Sequence, residues 1–546
     1  MKLKKLKLLS KFRGLPKGYE INFSLENSSE LAVNPICFIG LNGSGKSNLL
    51  ELISEIFYYL ETYSRSNTTE FKKYKTPFGF NIEYYIPKLT ADNGSFSLGE
   101  LAEYTIAELD KDILVTIEKK VEELPLIKVG FGDYKNKIDK SKHAHLFNLL
   151  PKYILGYSSG MNELLSNPFI KMDFDYLKEI KQKTNDAAIA TLEMNRLFYL
   201  DYNSSKLVTI CNFIFGKVTI NSIKEALKIE KLDSFSIHIK YLKKKIDKNY
   251  FPSELNQAIY SFEKIDLFSE KKENKDYKYT DTIEYHFNFQ LNEAIIEGFK
   301  NEFKSAYNLF RILYNFQMLN LDLVGGKTAK KVRGASAKSR DNLSDLIPKF
   351  EKDLLVFNVD SIAFKKEKIK DLVYFKQLSD GEHQLLQILG SISLFESKST
   401  LFLFDEPTTH FNPEWRSKFI YLINQCVGKT QREQEILLTT HSPFIVSDSK
   451  RENVIQTING DSKSHQYPEV ETYGSSIRFL LSRLFNQKNS IGEYSFRDLH
   501  KLYDKVATIE NENDIDFIKS ESLKFGDSPE KIMLFHLLNE KIKTLQ

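Results

Sequence analysis

One stretch constrains this chain more than any other. The apolar run Ile36-Cys37-Phe38-Ile39 leads straight into Gly40-Leu41-Asn42-Gly43-Ser44-Gly45-Lys46-Ser47, and Leu49, Leu50, Ile53, Ile56 and Phe57 then recur at helical spacing. A buried strand, a turn of the form G-x-x-x-x-G-K-[ST] and a helix therefore follow one another. Such a unit buries its apolar surface within an α/β fold, a sheet with helices on its faces. Glycines at 40, 43 and 45 let the backbone turn tightly, so that amide N–H groups converge on an anion beside the positive end of the helix. The candidate cradle is Asn42, Gly43, Ser44, Gly45, Lys46, Ser47 and Asn48. Lys46 supplies a point charge for phosphate oxygens, and the Ser47 hydroxyl is a candidate Mg²⁺ ligand.

Three later fragments belong with this loop. Leu401 to Phe404 reads as a strand buried on both faces and ends in Asp405-Glu406-Pro407. Two adjacent acids there are costly unless a cation offsets their charge, and magnesium does so. His441 closes a second apolar run, Ile436 to Leu438, after Thr439 and Thr440. Leu378-Ser379-Asp380-Gly381-Glu382 can be an ordinary helix start, with Ser379 as N-cap and Glu382 as its capping-box partner.

In this order the four fragments resemble the Walker A, signature, Walker B and switch-histidine motifs of the ABC ATPase superfamily. About 330 residues separate the first from the second, a gap similar to that of the chromosome-maintenance and DNA-repair branch. The resemblance implies an ABC-type head of two lobes, with ATP and Mg²⁺ as ligands. It assigns Asp405 to the ion, Glu406 to polarising the attacking water and His441 to sensing the γ-phosphate. Ser379, Gly381 and Glu382 would grip the γ-phosphate held by a second copy. Asp380 and Glu382 replace the usual glycine and glutamine, and an acid so placed repels a polyphosphate. A transient, ATP-dependent head-to-head dimer is therefore expected.

Asp405-Glu406-Pro407 and Thr440-His441-Ser442-Pro443-Phe444 also resemble the overcoming-lysogenization-defect and RecF-like ATPases. Phe12-Arg13-Gly14-Leu15 with Gly40-Leu41-Asn42-Gly43 is similar to the restriction-system-associated ATPases of bacterial anti-phage loci, and to the ATPase subunit of the Septu system. This implies an ATPase that regulates a separate HNH-type nuclease in response to nucleotide or DNA. A RecF-like DNA loader and a nucleotide-regulated scaffold with negligible hydrolysis stay open as alternatives. Asp514-Ile515-Asp516 is the one late candidate for a built-in nuclease, but it lies in a charged helical stretch without a preceding apolar run; none is expected.

Composition adds bounds. The 546 residues allow two to four domains, and 41% hydrophobic residues support a large core. The net charge of +4 leaves nucleic-acid binding to local patches. Cys37, Cys211 and Cys426 are far apart and read as buried thiols of a reducing compartment. Met1 to Phe12 has no long apolar core, and no run of about 18 apolar residues occurs, so a cytoplasmic protein without a membrane span is expected.

Along the chain, 1–165 and 366–455 read as the two halves of the head, 166–365 as a mainly helical insertion and 456–546 as a helical C-terminal segment. Strands are expected at Lys2 to Phe12, Tyr19 to Leu25, Phe80 to Tyr85, Ile113 to Glu118, Leu150 to Tyr157, Phe235 to Tyr241 and Ile283 to Phe289. Phe299, Phe303, Ala306, Phe310 and Leu313 suggest one helix over 291–322, roughly 45 Å long. Gly325 to Arg340 breaks that pattern and holds Lys327, Lys330, Lys331, Arg333, Lys338 and Arg340 without an acid. It is either a solvated loop or a phosphate-backbone contact. The nine histidines other than His441, His143 and His145 among them, show no partner arrangement and read as surface residues. Tyr157 to Glu163 and Thr409 to Pro413 have no assigned chemistry, and the inter-lobe glutamine of such ATPases has no candidate.

Overall fold

The computed structural model describes residues 1–23, 33–65, 78–87, 112–131, 134–137, 146–160, 163–183, 194–216, 219–244, 251–266, 270–275, 280–337, 339, 341–396, 399–427, 434–457, 465–487 and 489–545. A seven-stranded sheet organises them. Its order is His465–Gln466, Val454–Thr457, Ile36–Ile39, Glu435–Thr439, Thr400–Asp405, Tyr153–Ser158 and Leu197–Tyr199. All neighbours pair in parallel except the edge strand His465–Gln466. Parallel strands with both faces covered need apolar residues at every position, and Thr400–Asp405 is buried throughout. Alternate side chains feed two different cores: Phe402, Phe404, Ile436 and Leu438 enter one, Leu401, Leu403 and Leu437 the other.

The helix Lys46–Arg65 starts at the glycine loop, as the spacing predicts, and packs against Thr400–Asp405. A six-stranded antiparallel sheet covers the second core: Glu20–Asn22, Lys2–Leu8, Phe80–Ile86, Ile113–Lys119, Leu126–Phe131 and Tyr134–Lys137. In Lys2–Leu8 the buried leucines fall at 3, 6 and 8. That uneven spacing is reconciled by a register shift between Leu3 and Lys5, a bulge that returns Leu6 and Leu8 to the inner face.

The expected α/β fold, a parallel sheet with flanking helices, is the one observed, and the C-terminal region is helical. There, Glu493–Ala507, Glu512–Ser522 and Pro529–Leu545 enclose a small core of Leu499, Leu502, Ile518, Leu534 and Leu538. Asp514 serves a helix start here: its Oδ2 accepts from Asn511 N (3.3 Å) while Asn511 Oδ1 accepts from Asp514 N (3.1 Å).

Between 166 and 365 lies more sheet than the sequence suggested. Glu270–Lys275, Thr280–Gln290, Ile229–Lys244, Phe357–Lys366 and Val373–Tyr374 form a five-stranded antiparallel sheet. The single helix expected over 291–322 is two, Glu293–Phe303 and Ala306–Met318. Lys304 takes a left-handed φ of 65°, and the Ser305 side chain caps the second helix by accepting from Asn308 N. The break leaves Phe299, Phe303, Ala306 and Phe310 buried in one core, which is why the apolar spacing runs across it. Cys37, Cys211 and Cys426 are buried thiols that form no disulfide among the described residues. Among the described residues no helix is long and apolar enough to cross a membrane.

Candidate nucleotide-binding site

The C-terminal ends of four neighbouring strands converge at the glycine loop. Gly43 and Gly45 take φ of 80° and 94°, a conformation that other residues rarely adopt. Ser44 Oγ is 2.7 Å from Thr457 Oγ1, so the loop is tied to the next strand of the sheet. Lys46 Nζ donates to Gly40 O (3.0 Å) and Leu41 O (3.2 Å), which folds the ammonium back over its own loop. Asn42 is exposed at the turn, and Asn48 lies against Gly14, where an added Cβ would stand 2.9 Å from Asn48 Nδ2.

Asp405 sits at the centre. Its Oδ1 accepts from Ser47 Oγ (3.0 Å) and from Thr439 Oγ1 (2.6 Å), and its Oδ2 from Ser158 Oγ at 3.4 Å. The same Thr439 hydroxyl accepts from Glu406 N at 2.9 Å. That bond anchors Glu406 at a left-handed φ of 51°. Glu406 Oε1 is buried without a hydrogen-bond partner, and His441 Nε2 lies 3.6 Å from it. Burial, then the charge of Asp405, push the Glu406 carboxyl up to about 7 against the opposing pull of Lys46. Burial lowers the Lys46 ammonium, opposed by Glu406 and Asp405, and burial with the nearby Lys46 charge lowers the His441 imidazole.

The structure thus brings Lys46, Ser47, Asp405, Glu406 and His441 together. A hydroxyl and a carboxylate oxygen 3.0 Å apart, backed by an orphaned carboxylate oxygen, suit a hard, oxygen-seeking cation. Ser47 and Asp405 are the residues that fit Mg²⁺.

Ser379, Gly381 and Glu382 lie elsewhere. They open the helix Asp380–Leu394 through the capping box read from sequence: Ser379 Oγ accepts from Glu382 N and Glu382 Oε2 from Ser379 N at 2.8 Å. Glu382 Oε1 also meets Lys366 Nζ at 2.5 Å. Burial alone would raise the Glu382 carboxyl; the bonds from Lys366 and Ser379 outweigh it and lower it. Lys366 therefore answers the Glu382 charge, and of the two acids expected to repel a polyphosphate Asp380 alone is left without an ion pair among those described. A Cβ at Gly381 would stand 2.6 Å from His410 O, so only glycine lets the helix approach this close.

Two segments without assigned chemistry gain roles. Ser159 N donates to Asp405 O, and Ser159 Oγ pairs with Thr409 Oγ1 at 2.9 Å. Buried Gln384 donates to Tyr157 Oη (2.9 Å) and accepts from His410 N (3.1 Å), joining the capping-box helix, the 157–160 turn and the loop after Glu406. Asn412 Oδ1 accepts from Trp415 N and starts the helix Pro413–Val427. Met161 and Asn162 lie outside the described residues. Sequence reasoning missed Ser158, Gln384 and Thr457 as site partners and left Thr439 without a role; only a hydroxyl residue closing each buried strand pointed to three of them.

Part of the basic run is helical. Gly326–Arg333 is a helix whose Val332 packs with Phe174, Val324 and Leu343, in a small core apart from the nucleotide site. Lys327, Lys330 and Lys331 are exposed on it and Arg333 is half-buried, while Lys338 and Arg340 lie outside the described residues, as do His143 and His145.

Residues 233–447 match a family described as "AAA domain, putative AbiEii toxin, Type IV TA system". That span carries Ser379, Asp405, Glu406 and His441. The match covers less than half of the chain and does not include the glycine loop, whose strand–turn–helix geometry has the P-loop form. Over 301 residues it is 24% identical to protein ea59 of Escherichia phage lambda, 53% of either protein, so it spans about half the length of that curated relative. The SMC head domain from Thermotoga maritima is a similar solved structure, at 11% identity and a TM-score of 0.31, covering 86% of this chain and 100% of that one.

Proposed function

We propose that this chain binds and hydrolyses ATP with Mg²⁺, and that it is the ATPase subunit of a bacterial anti-phage defence system controlling a separate, HNH-type nuclease in response to nucleotide or DNA. The observation that carries the ATPase reading is the meeting of Lys46, Ser47, Asp405, Glu406 and His441 at the ends of parallel strands. The defence reading is supported by the toxin–antitoxin description of the matched family and by the sequence resemblance.

In this reading the loop amides and Lys46 bind the phosphates, whose oxygens replace the carbonyls of Gly40 and Leu41 around the ammonium. Ser47 and Asp405 would hold Mg²⁺, which would supply neutralisation of phosphate charge. Glu406, held beside Asp405 with its Oε1 free of hydrogen bonds, accepts a proton from water, and His441 beside it responds to the terminal phosphate. Ser379 and Gly381 engage a nucleotide bound by a second copy, forming a head-to-head dimer. Residues 1–165 and 366–455 then serve as the head, joined in its sheet by Leu197–Tyr199 and by the strands that run on to Gln466, with the rest of 166–365 as the insertion and the rest of 456–546 as the C-terminal segment, in the cytoplasm. DNA contact is assigned to the basic helix.

The test is nucleotide binding and turnover. Lys46→Ala should lose ATP binding while keeping its fold. Glu406→Gln should keep binding and lose roughly 10²–10⁴ in rate. Parental turnover in Glu406→Gln would remove the assignment of the base, and parental ATP affinity in Lys46→Ala that of the cradle. Co-purification from native cells tests the nuclease partner.

A further inference from the structure

The histidines expected on the surface include one pair that the fold brings face to face. Antiparallel register sets His238 of Ile229–Lys244 directly opposite His286 of Thr280–Gln290. Glu284, two residues before His286, projects from the same face. The imidazole rings stack at 4.2 Å, and Glu284 Oε2 lies 3.8 Å from His238 Nε2 and 3.9 Å from His286 Nε2. All three ligand atoms fall within 4.8 Å of one another. His238 is only 9% exposed, and its Nε2 has no hydrogen-bond partner among the described residues. A buried, unsatisfied nitrogen is rare in a folded protein and calls for a ligand.

We infer that His238, Glu284 and His286 form a binding site for a divalent transition-metal ion of the Zn²⁺ class. Two imidazoles and a carboxylate favour such an ion over Mg²⁺ or Ca²⁺, so the site is chemically distinct from the one at Ser47 and Asp405. Ligands about 2.0–2.2 Å from an ion sit closer together than these atoms do. Lys240 Nζ holds the other carboxylate oxygen, Oε1, at 2.8 Å and so leaves Oε2 directed at the histidines. This is the role that a residue behind a metal ligand plays. The open coordination position falls to water. The ion would clamp the two longest strands of the five-stranded sheet, far along the chain from the glycine loop.

The full-length chain, stripped with a chelator and freed of nucleotide, is titrated with Zn²⁺ by calorimetry and with Co²⁺ by visible absorption. One equivalent should bind, with a ligand-field band for Co²⁺. His286→Asn, at a partly exposed position, should weaken that equivalent at least roughly tenfold and remove the band. Glu284→Gln should weaken it similarly, and Asp405→Asn should leave it intact. Zn²⁺ should raise the melting temperature of the parent but not of His286→Asn. No bound equivalent in the parent, parental affinity in His286→Asn, or loss of the equivalent in Asp405→Asn instead would each overturn the site.

Discussion

Thr439→Val probes how the candidate base is held. Valine keeps the shape of threonine at a position with no exposure and removes the one hydroxyl that serves both acids. That hydroxyl donates to Asp405 Oδ1 at 2.6 Å and accepts from Glu406 N at 2.9 Å. A hydrogen bond to a charged acceptor contributes about 1.5–3 kcal/mol. The left-handed backbone of Glu406, at φ 51°, costs about 1–3 kcal/mol and needs such an anchor. Losing about 1.5–3 kcal/mol of positioning corresponds to a roughly 10- to 100-fold drop in kcat. KM for Mg-ATP should stay close to the parental value, because Lys46 and the loop amides are untouched. Steady-state phosphate release measures both, and circular dichroism checks the fold. Thr439→Ser should recover most of the rate. Thr440→Val is the control, since its hydroxyl accepts from Ser442 N instead. A folded Thr439→Val turning over like the parent would refute the argument, as would a serine variant no better than valine.

Three further outcomes are expected. Glu435 is buried and its carboxyl is pushed up to about 7 by burial, against Lys2 and the Leu3 amide, so the folded state prefers it protonated. Stability is then present below about pH 4.5 and lost as pH rises through about 7, and Glu435→Gln should gain about 3 kcal/mol above that range and nothing below it. Melting curves across pH read this, and a pH-independent difference contradicts it. Lys171 Nζ meets Glu55 Oε1 at 2.8 Å with both side chains buried, so Lys171→Met should destabilise by about 3–5 kcal/mol and Lys171→Met/Glu55→Leu by much less; equal losses in thermal unfolding would discount the pair. Replacing Lys327, Lys330, Lys331 and Arg333 by glutamine should flatten the log–log salt dependence of DNA affinity by up to about 0.9 for each phosphate these side chains neutralise, whereas an unchanged slope returns this helix to a solvated face.

How much the amino-acid order revealed depended on the range of the signal. The glycine loop, its strand and its helix are contiguous, so the local pattern sufficed for Lys46 and Ser47. Asp405 and Glu406 were readable because Leu401 to Phe404 must be buried on both faces. Longer-range features were hidden. The edge strand Glu270–Lys275 reads Glu-Lys-Lys-Glu-Asn-Lys and carries no apolar alternation. The helix break at Lys304 was masked by phenylalanines that share one core on either side of it. Gly325 and Gly326 looked like a loop, yet Gly325 ends one turn and Gly326 begins a helix. The pairing of His238 with His286 exists only once strand register is known.

The position of Ile36–Ile39 in its sheet has a consequence for biosynthesis. Both strands that flank it, Glu435–Thr439 and Val454–Thr457, are translated last among the head strands that touch it, and Ser44 meets Thr457 across 413 positions of sequence. A ribosome-bound chain shorter than that exposes an apolar strand with two unpaired edges, a species that chaperones engage and that folds slowly because its partners are distant in sequence. Completion of the site around the glycine loop therefore arrives late, and a prematurely terminated product would carry the most recognisable motif of the molecule without the strands that finish it.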